Sequence, residues 1–281
     1  MRQRPFGPTR RPVPVVGQGT WYIEEASRSA AVAALLRGID LGMSHIDTAE
    51  LYGGGAAEEI VAEAIAGRRN KVFLVSKVLP QNASRAGTKA ACEKSLKRLK
   101  TDRLDCYLLH WRGSIKLEET IAAFAELKRD GKILSWGVSN FDTADLDAAA
   151  KLAGPGELAC NQVLYHLRER EIEHEVIPWC EKEAVAVVAY SPFGHRNFPD
   201  PDSDGGRVLA DVAKAHGATA RQAALAFLTR RESVFAIPKA ARVAHAEENA
   251  GAGDLTLSDA EIAAIDAAFP LAPKRRSLPM I

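Results

Sequence analysis

The chain has little cysteine. Cys92, Cys106, Cys160 and Cys180 are scattered over 281 residues with no C-x-x-C pair. That usage argues against a disulfide scaffold and suits a reducing compartment. Cys106 and Cys160 sit in apolar runs, where a thiol behaves as a small buried hydrophobe. Neither charge dominates: 37 Lys and Arg stand against 36 Asp and Glu, a net of +1. No global field therefore points to nucleic acid or an acidic membrane, and Lys274-Arg275-Arg276 reads as a solvated tail. No apolar run approaches the length of a membrane span. The opening Met-Arg-Gln-Arg-Pro-Phe is charged with no apolar stretch after it, so no secretory signal is expected. Nor is there a composition shift or a Gly/Ser/Pro-rich linker. The expectation is a cytoplasmic monomer, residues 1–281 forming a single domain long enough to bury a large core.

What is present is a regular alternation. Short apolar runs at 15–19, 44–47, 72–77, 104–110, 133–138, 158–163, 185–190 and 234–238 read as strands. Between them, helical spacing covers 26–41, 58–66, 84–99, 117–130, 143–152 and 170–182, the last containing Pro178. Further helices are expected at 207–216, 220–229, 242–250 and 258–269. Strands without polar alternation are buried on both faces, and helical crossovers between them imply parallel pairing. Eight such units at this length favour an α/β fold of the TIM (β/α)8 barrel type. A short extended or hairpin segment would precede it, and extra helices would follow. An open dinucleotide-binding sheet would want a third glycine after Gly17-Gln-Gly19, where Thr20, Trp21 and Tyr22 stand instead. Gly53-Gly54-Gly55 lacks the Lys-Ser/Thr of a phosphate loop. Both glycine clusters read as turns.

In a parallel barrel, function sits at the C-terminal strand ends. There the sequence places Asp47 and Tyr52, then Lys77, then His110 with Trp111, on three successive strands. Taken singly, each has a structural reading: a solvated lysine, a core histidine, a tyrosine covering the rim. Together they make chemical sense. A phenol titrates near 10, high for a proton donor at neutral pH. A neighbouring ammonium lowers that value. Lys77 supplies the ammonium, Asp47 holds it as a buried ion pair, and His110 hydrogen-bonds the substrate oxygen. Such a site donates a proton to a carbonyl oxygen as charge develops there. It calls for a hydride source and no metal.

At this point the chain resembles the aldo-keto reductases. The matching stretches are His45-Ile-Asp-Thr-Ala-Glu-Leu-Tyr-Gly53, Val75-Ser-Lys77, Leu108-Leu-His-Trp111, Gly137-Val-Ser-Asn140, Asn161-Gln162, Ala189-Tyr-Ser-Pro192 and Ile237-Pro-Lys239. They run in that family's order and spacing over nearly the whole chain. The resemblance implies a barrel using NADPH, with Asp47, Tyr52, Lys77 and His110 as its catalytic tetrad. It implies that Ser139, Asn140 and Gln162 hold the nicotinamide carboxamide, that Tyr190 stacks on the ring, and that Ser191, Pro192, Phe193 and Gly194 follow the pyrophosphate. Ile237, Pro238, Lys239, Arg242, His245, Glu248 and Asn249 would serve the adenosine end. Trp21, Tyr22 and Trp111 would line the mouth for a small carbonyl substrate such as methylglyoxal.

The chain departs from the family at the adenosine end. Ala240 stands where many relatives have serine, and His245 where they have a phosphate-binding arginine. Arginine is the better bidentate partner for a phosphate, so a weaker NADPH preference, with NADH tolerated, is expected. Short segments after His110 and after Phe269 suggest an open site for small substrates. Two other readings use the same residues. One is a nucleotide-binding barrel that senses redox state or regulates a partner, against which the complete Asp-Tyr-Lys-His set argues. The other is a dehydrogenase working toward alcohol oxidation, which the cellular cofactor ratio would decide.

Overall fold

The apolar runs pair in chain order. A computed structural model describes all 281 residues. An antiparallel hairpin, β1 (Gln3–Pro5) and β2 (Pro12–Pro14), comes first. Eight strands follow: β3 (Gln18–Gly19), β4 (His45–Asp47), β5 (Phe73–Val78), β6 (Leu104–Leu109), β7 (Ile133–Ser139), β8 (Leu158–Leu164), β9 (Ala186–Tyr190) and β10 (Val234–Ala236). Each is parallel to its predecessor in one sheet. Parallel bridges from Val16 to Ala236 and from Gly19 to Lys239 close the sheet into a barrel.

Ten helices, α1 (Arg28–Asp40), α2 (Ala56–Ala64), α3 (Arg85–Leu99), α4 (Leu117–Arg129), α5 (Thr143–Ala153), α6 (Val176–Lys182), α7 (Asp204–Ala215), α8 (Ala220–Leu228), α9 (Val243–Gly251) and α10 (Asp259–Ala268), accompany the strands. Side-chain oxygens start many of them. Ser27, Ser84, Asp142 and Ser203 each accept from an amide three residues on, and Thr219–Gln222 and Ser258–Glu261 form full capping boxes. No helix is long and apolar enough to cross a membrane.

Three sequence expectations change. Gly17-Gln18-Gly19 is not a turn but belongs to the strand also expected at 15–19, of which Gln18–Gly19 pairs at the seam. A Cβ on Gly17 would lie 2.6 Å from the His45 carbonyl oxygen, and one on Gly19 would lie 2.6 Å from that of Ile237, so only glycine lets the seam close. Gly53, Gly54 and Gly55 do form a turn, with φ of 55, 61 and 100°. Second, helix α6 begins at Val176, not at residue 170. Arg170 is drawn into tertiary bonds to Glu173, Asp266 and the Phe269 carbonyl. Pro178 therefore falls in the first turn, where its missing N–H is harmless. Third, the basic cluster near the C-terminus is exposed as expected, but two of its members are ion-paired. Lys274 pairs with Glu175 and Arg275 with Glu169.

Period-two alternation sorts the strand side chains into two cores. The outward set packs against the helices. The inward set includes Phe73 and Val75, Cys106 and Leu108, Ala186 and Val188, and Phe235 and Ile237. Continuing each inward row by one step reaches Lys77, His110, Tyr190 and Lys239. The active layer is thus the top layer of the barrel's own packing. At the opposite end the hairpin inserts Phe6 as a plug, 4.8 Å from the Phe73 ring, 5.2 Å from Phe235 and 5.8 Å from His45.

His45 is fully buried in this floor, and neither ring nitrogen has a hydrogen-bond partner. Burial, with Lys77 adding repulsion, lowers its pKa to about 3. The unfolded chain binds that proton at about 6.5, so stability is intact above that pH and falls as pH drops toward about 3, by about 1.4 kcal/mol per unit. His45→Leu removes this proton uptake. Thermal melts from about pH 7 to pH 4 should show a shallower loss of Tm than in the wild type; equal slopes would rule out His45 as a source of acid sensitivity.

Candidate active site

Three adjacent strands supply the centre. Asp47 ends β4, Lys77 lies near the end of β5, and His110 follows β6. Tyr52 is delivered by the loop after β4, which is stitched down at several points. The Thr48 amide donates to the Val75 carbonyl at 2.9 Å, and Thr20 Oγ1 donates to the Asp47 carbonyl at 2.9 Å. Glu50 Oε1 accepts from the Leu79 amide at 2.8 Å and from Asn82 Nδ2 at 2.9 Å. Beyond the glycine turn, buried Glu58 accepts from Ser76 Oγ at 2.6 Å and from Arg98 Nε at 2.5 Å, tying α2 to β5 and α3.

The lysine is fully buried and uses all three of its N–H bonds. Nζ donates to Asp47 Oδ1 at 2.6 Å, to the Thr48 carbonyl at 2.9 Å and to Tyr52 Oη at 3.1 Å. Asp47 Oδ2 accepts from Gln162 Nε2 at 2.7 Å. Burial works against the ammonium, but Asp47 first and Tyr52 second outweigh it, so the Lys77 pKa lies above its ordinary value. Burial pulls the Asp47 carboxyl upward, opposed by Lys77 and Gln162. The proton of the pair belongs on Lys77, because all three donors find acceptors and both carboxylate oxygens are satisfied.

Tyr52 corrects one expectation. Lys77 does pull the phenol pKa down, but burial raises it more and Asp47 adds to the rise, so the balance is upward. Since Lys77 donates to its oxygen, the phenolic proton is left to point elsewhere. His110 lies edge-on to Tyr52, with ring centres 5.7 Å apart. Burial, aided by Lys77, lowers the imidazole to about 2, so it is neutral at physiological pH.

A cavity of about 560 Å³ opens over these groups. It is lined by Asp47, Tyr52, His110, Ser139, Asn140, Gln162 and the run from Tyr190 to Arg196. Ile237, Pro238 and Lys239 line it too, as do Trp21, Tyr22 and Trp111. Trp21 is stacked on Tyr22 at 4.6 Å and Trp111 lies beside His110 at 4.8 Å. A polar chain runs along the floor: Tyr190 Oη donates to Asn140 Oδ1 at 3.0 Å, Asn140 Nδ2 to the His110 carbonyl at 3.1 Å, and Ser139 Oγ to the Gln162 carbonyl at 2.8 Å. Asn140 holds φ of 61°, a conformation asparagine tolerates better than most residues. Asn161, one residue out of phase, turns away and brackets Phe141.

Four residues expected at the adenosine end are not brought to this cavity. Arg242 Nη2 and His245 Nε2 bond to each other at 2.7 Å. Glu248 accepts from Thr219 Oγ1 at 2.8 Å and so joins α9 to the start of α8, while Asn249 is buried under α9. Conversely, Thr20, Glu25, Leu51, His195, Arg196, Met280 and Ile281 line the cavity unforeseen. Thr20 and Leu51 were within reach, as neighbours of residues already singled out. Met280 and Ile281 belong to the segment after Phe269 already read as bordering the site, though not singled out within it. No group of three or more potential metal ligands is assembled.

A (β/α)8 barrel with a buried Asp–Lys pair, a tyrosine and a neutral histidine at its C-terminal end defines a class of carbonyl-handling oxidoreductase. The chain belongs to the aldo/keto reductase family, whose model matches residues 15–269. It is 48% identical over 271 residues to methylglyoxal reductase YeaE of Escherichia coli, covering 96% of this chain and 95% of that protein. It is 32% identical to the glyoxal reductase of Bacillus subtilis, over 91% of this chain and 88% of that one. An aldo/keto reductase from Klebsiella pneumoniae, solved with NADP and acetate, superposes over 100% of both chains with a TM-score of 0.92 at 44% identity.

The ion pair is open to a double-variant test. Lys77→Met strands a buried carboxylate and should cost about 3–5 kcal/mol in urea unfolding. Adding Asp47→Asn should recover much of that stability without recovering turnover. Full stability in Lys77→Met alone would contradict the charged pair.

Proposed function

We propose that the chain reduces small aldehydes and ketoaldehydes of the methylglyoxal kind with NADPH, Tyr52 giving the proton to the carbonyl oxygen. The observation that carries this reading is the Tyr52 hydroxyl on the cavity floor, its oxygen engaged by the Lys77 ammonium at 3.1 Å. Because Lys77 occupies a lone pair, the phenol directs its O–H to an acceptor in the cavity. Proton transfer leaves a phenolate beside an ammonium, which stabilises the charge as it forms. Asp47 keeps that ammonium charged, and neutral His110 offers a second hydrogen bond to the substrate oxygen. Trp21 and Trp111 flank the carbonyl.

The lining fits a dinucleotide. Tyr190 presents an aromatic ring next to Asn140 and Ser139, and Gly194 turns at φ of 70°, where backbone can approach a phosphate. Arg196 and Lys239 line the same wall with no acidic partner of their own. Bound there, NADPH would supply the hydride. Support also comes from the relatives, two of which are named for reducing methylglyoxal or glyoxal and one of which was solved with NADP. Ala240 and His245, which replace a serine and a phosphate-binding arginine of many relatives, favour a weaker preference for NADPH with NADH tolerated. We place the whole activity in one cytoplasmic domain, residues 1–281.

Tyr52→Phe should lower kcat for methylglyoxal by about 10²–10⁴-fold while leaving NADPH affinity, followed by cofactor fluorescence, within about twofold. Equal turnover in variant and wild type would sink the general-acid role. The pH profile gives a separate check. With His110 at about 2 and the Tyr52 and Lys77 pKa values raised, kcat for reduction should stay level from about pH 5.5 to pH 8.5 and fall only in alkali. An inflection near the ordinary imidazole value of about 6.5 would show that a titrating histidine controls the step.

A further inference from the structure

The last twelve residues, 270–281, form no helix or strand, yet they are not loose. Arg170 Nη1 donates to the Phe269 carbonyl at 2.8 Å and fixes the root of this strap. His174 Nε2 meets the Ala272 carbonyl at 2.8 Å. The Arg275 amide donates to Glu171 Oε1 at 3.0 Å and its guanidinium to Glu169 Oε2 at 2.9 Å, while Lys274 pairs with Glu175. Five residues later, Met280 and Ile281 line the same cavity as Tyr52 and Tyr190. The Ile281 backbone reaches the Tyr190 hydroxyl, pulling its pKa down against burial. Alternate residues of the segment from Glu169 to Glu175 are acidic, and three of the four glutamates face the strap. The fourth, Glu173, is held by Arg170 and Arg230. A basic cluster and an acidic segment thus meet at the base of a wall of the site.

We propose that Lys274 and Arg275 are positioning residues. They clamp the strap on Glu169, Glu171 and Glu175, so that Met280 and Ile281 complete the substrate side of the cavity. The inference rests on the carbonyl-reductase reading, because it assigns the strap to substrate binding and not to the proton transfer made by Tyr52 and Lys77. Three of the clamp's four charged groups are about half exposed, 52% for Lys274, 50% for Glu175 and 49% for Arg275, while Glu169 is 13% exposed. Ion pairs of that kind are screened by salt, whereas the buried Asp47–Lys77 pair is not. Salt should therefore weaken the wall and leave the chemical centre intact. The strap has few apolar anchors of its own; Leu278 packs against the main core, while Leu271, Met280 and Ile281 remain exposed.

The experiment uses the full chain at saturating NADPH with methylglyoxal as the probe. Sodium chloride is raised from about 20 mM to about 500 mM, over which the screening length shrinks from about 20 Å to about 4 Å. The wild-type KM should rise about fivefold, the scale of two exposed ion pairs, with kcat within about twofold. Lys274→Ala/Arg275→Ala should show the raised KM already at low salt and little further salt dependence. Exchanging the charges of one pair, Lys274→Glu with Glu175→Lys, should bring KM back toward the wild-type value. A second readout needs no turnover: trypsin should cut after Arg276, which has no ion pair, faster in high salt and in the double variant. A KM and a cleavage rate that ignore both salt and the substitutions would overturn the clamp, as would a parallel fall of kcat and Tm in the double variant. Absence of any methylglyoxal turnover alongside salt-dependent cleavage would instead count against the reductase reading.

Discussion

The structure depends on one buried ion pair. Lys77 and Asp47 are almost wholly removed from water, a position in which either charge alone would be expelled or neutralised. Three acceptors around Nζ and two donors to the carboxylate make the charged form stable there. The barrel makes this possible. Its top interior layer is ringed by strand ends whose alternate side chains aim inward, so Asp47, Lys77 and Gln162 meet there and satisfy one another. The Tyr52 oxygen is drawn into this arrangement, held by the same ammonium.

Much of the fold was legible because period-two strands and helical crossovers leave a repeating signature. The cap residues Ser84, Asp142, Thr219 and Ser258 and the glycine after α4 punctuate it. The same periodicity placed Asp47, Lys77, His110 and Tyr190 at strand ends. Other features escaped for physical reasons. Gly17 and Gly19 look like turn residues in one dimension, and only the neighbouring backbones of β4 and β10 show why side chains are excluded. Arg170 sits in a plausible helical run but is claimed by partners about a hundred residues away. Burial of Tyr52, which reverses the expected direction of its pKa shift, is likewise a property of the assembled barrel.

The two ends of the cavity are built differently. The proton-handling end is rigid, buried and held by short hydrogen bonds within the barrel. The strap that carries Met280 and Ile281 to the cavity is tied down by partly exposed charges. A basic cluster that reads as solvated sequence proves to have acidic counterparts on the 169–175 segment.

The most direct test of the centre is the protonation state of Lys77. Nitrogen-15 NMR of lysine side chains, with the Nζ signal assigned by comparison with Lys77→Arg, should show an ammonium that persists from about pH 6 to pH 9. A neutral amine near pH 7 would contradict a Tyr52 proton donor oriented by a charged lysine.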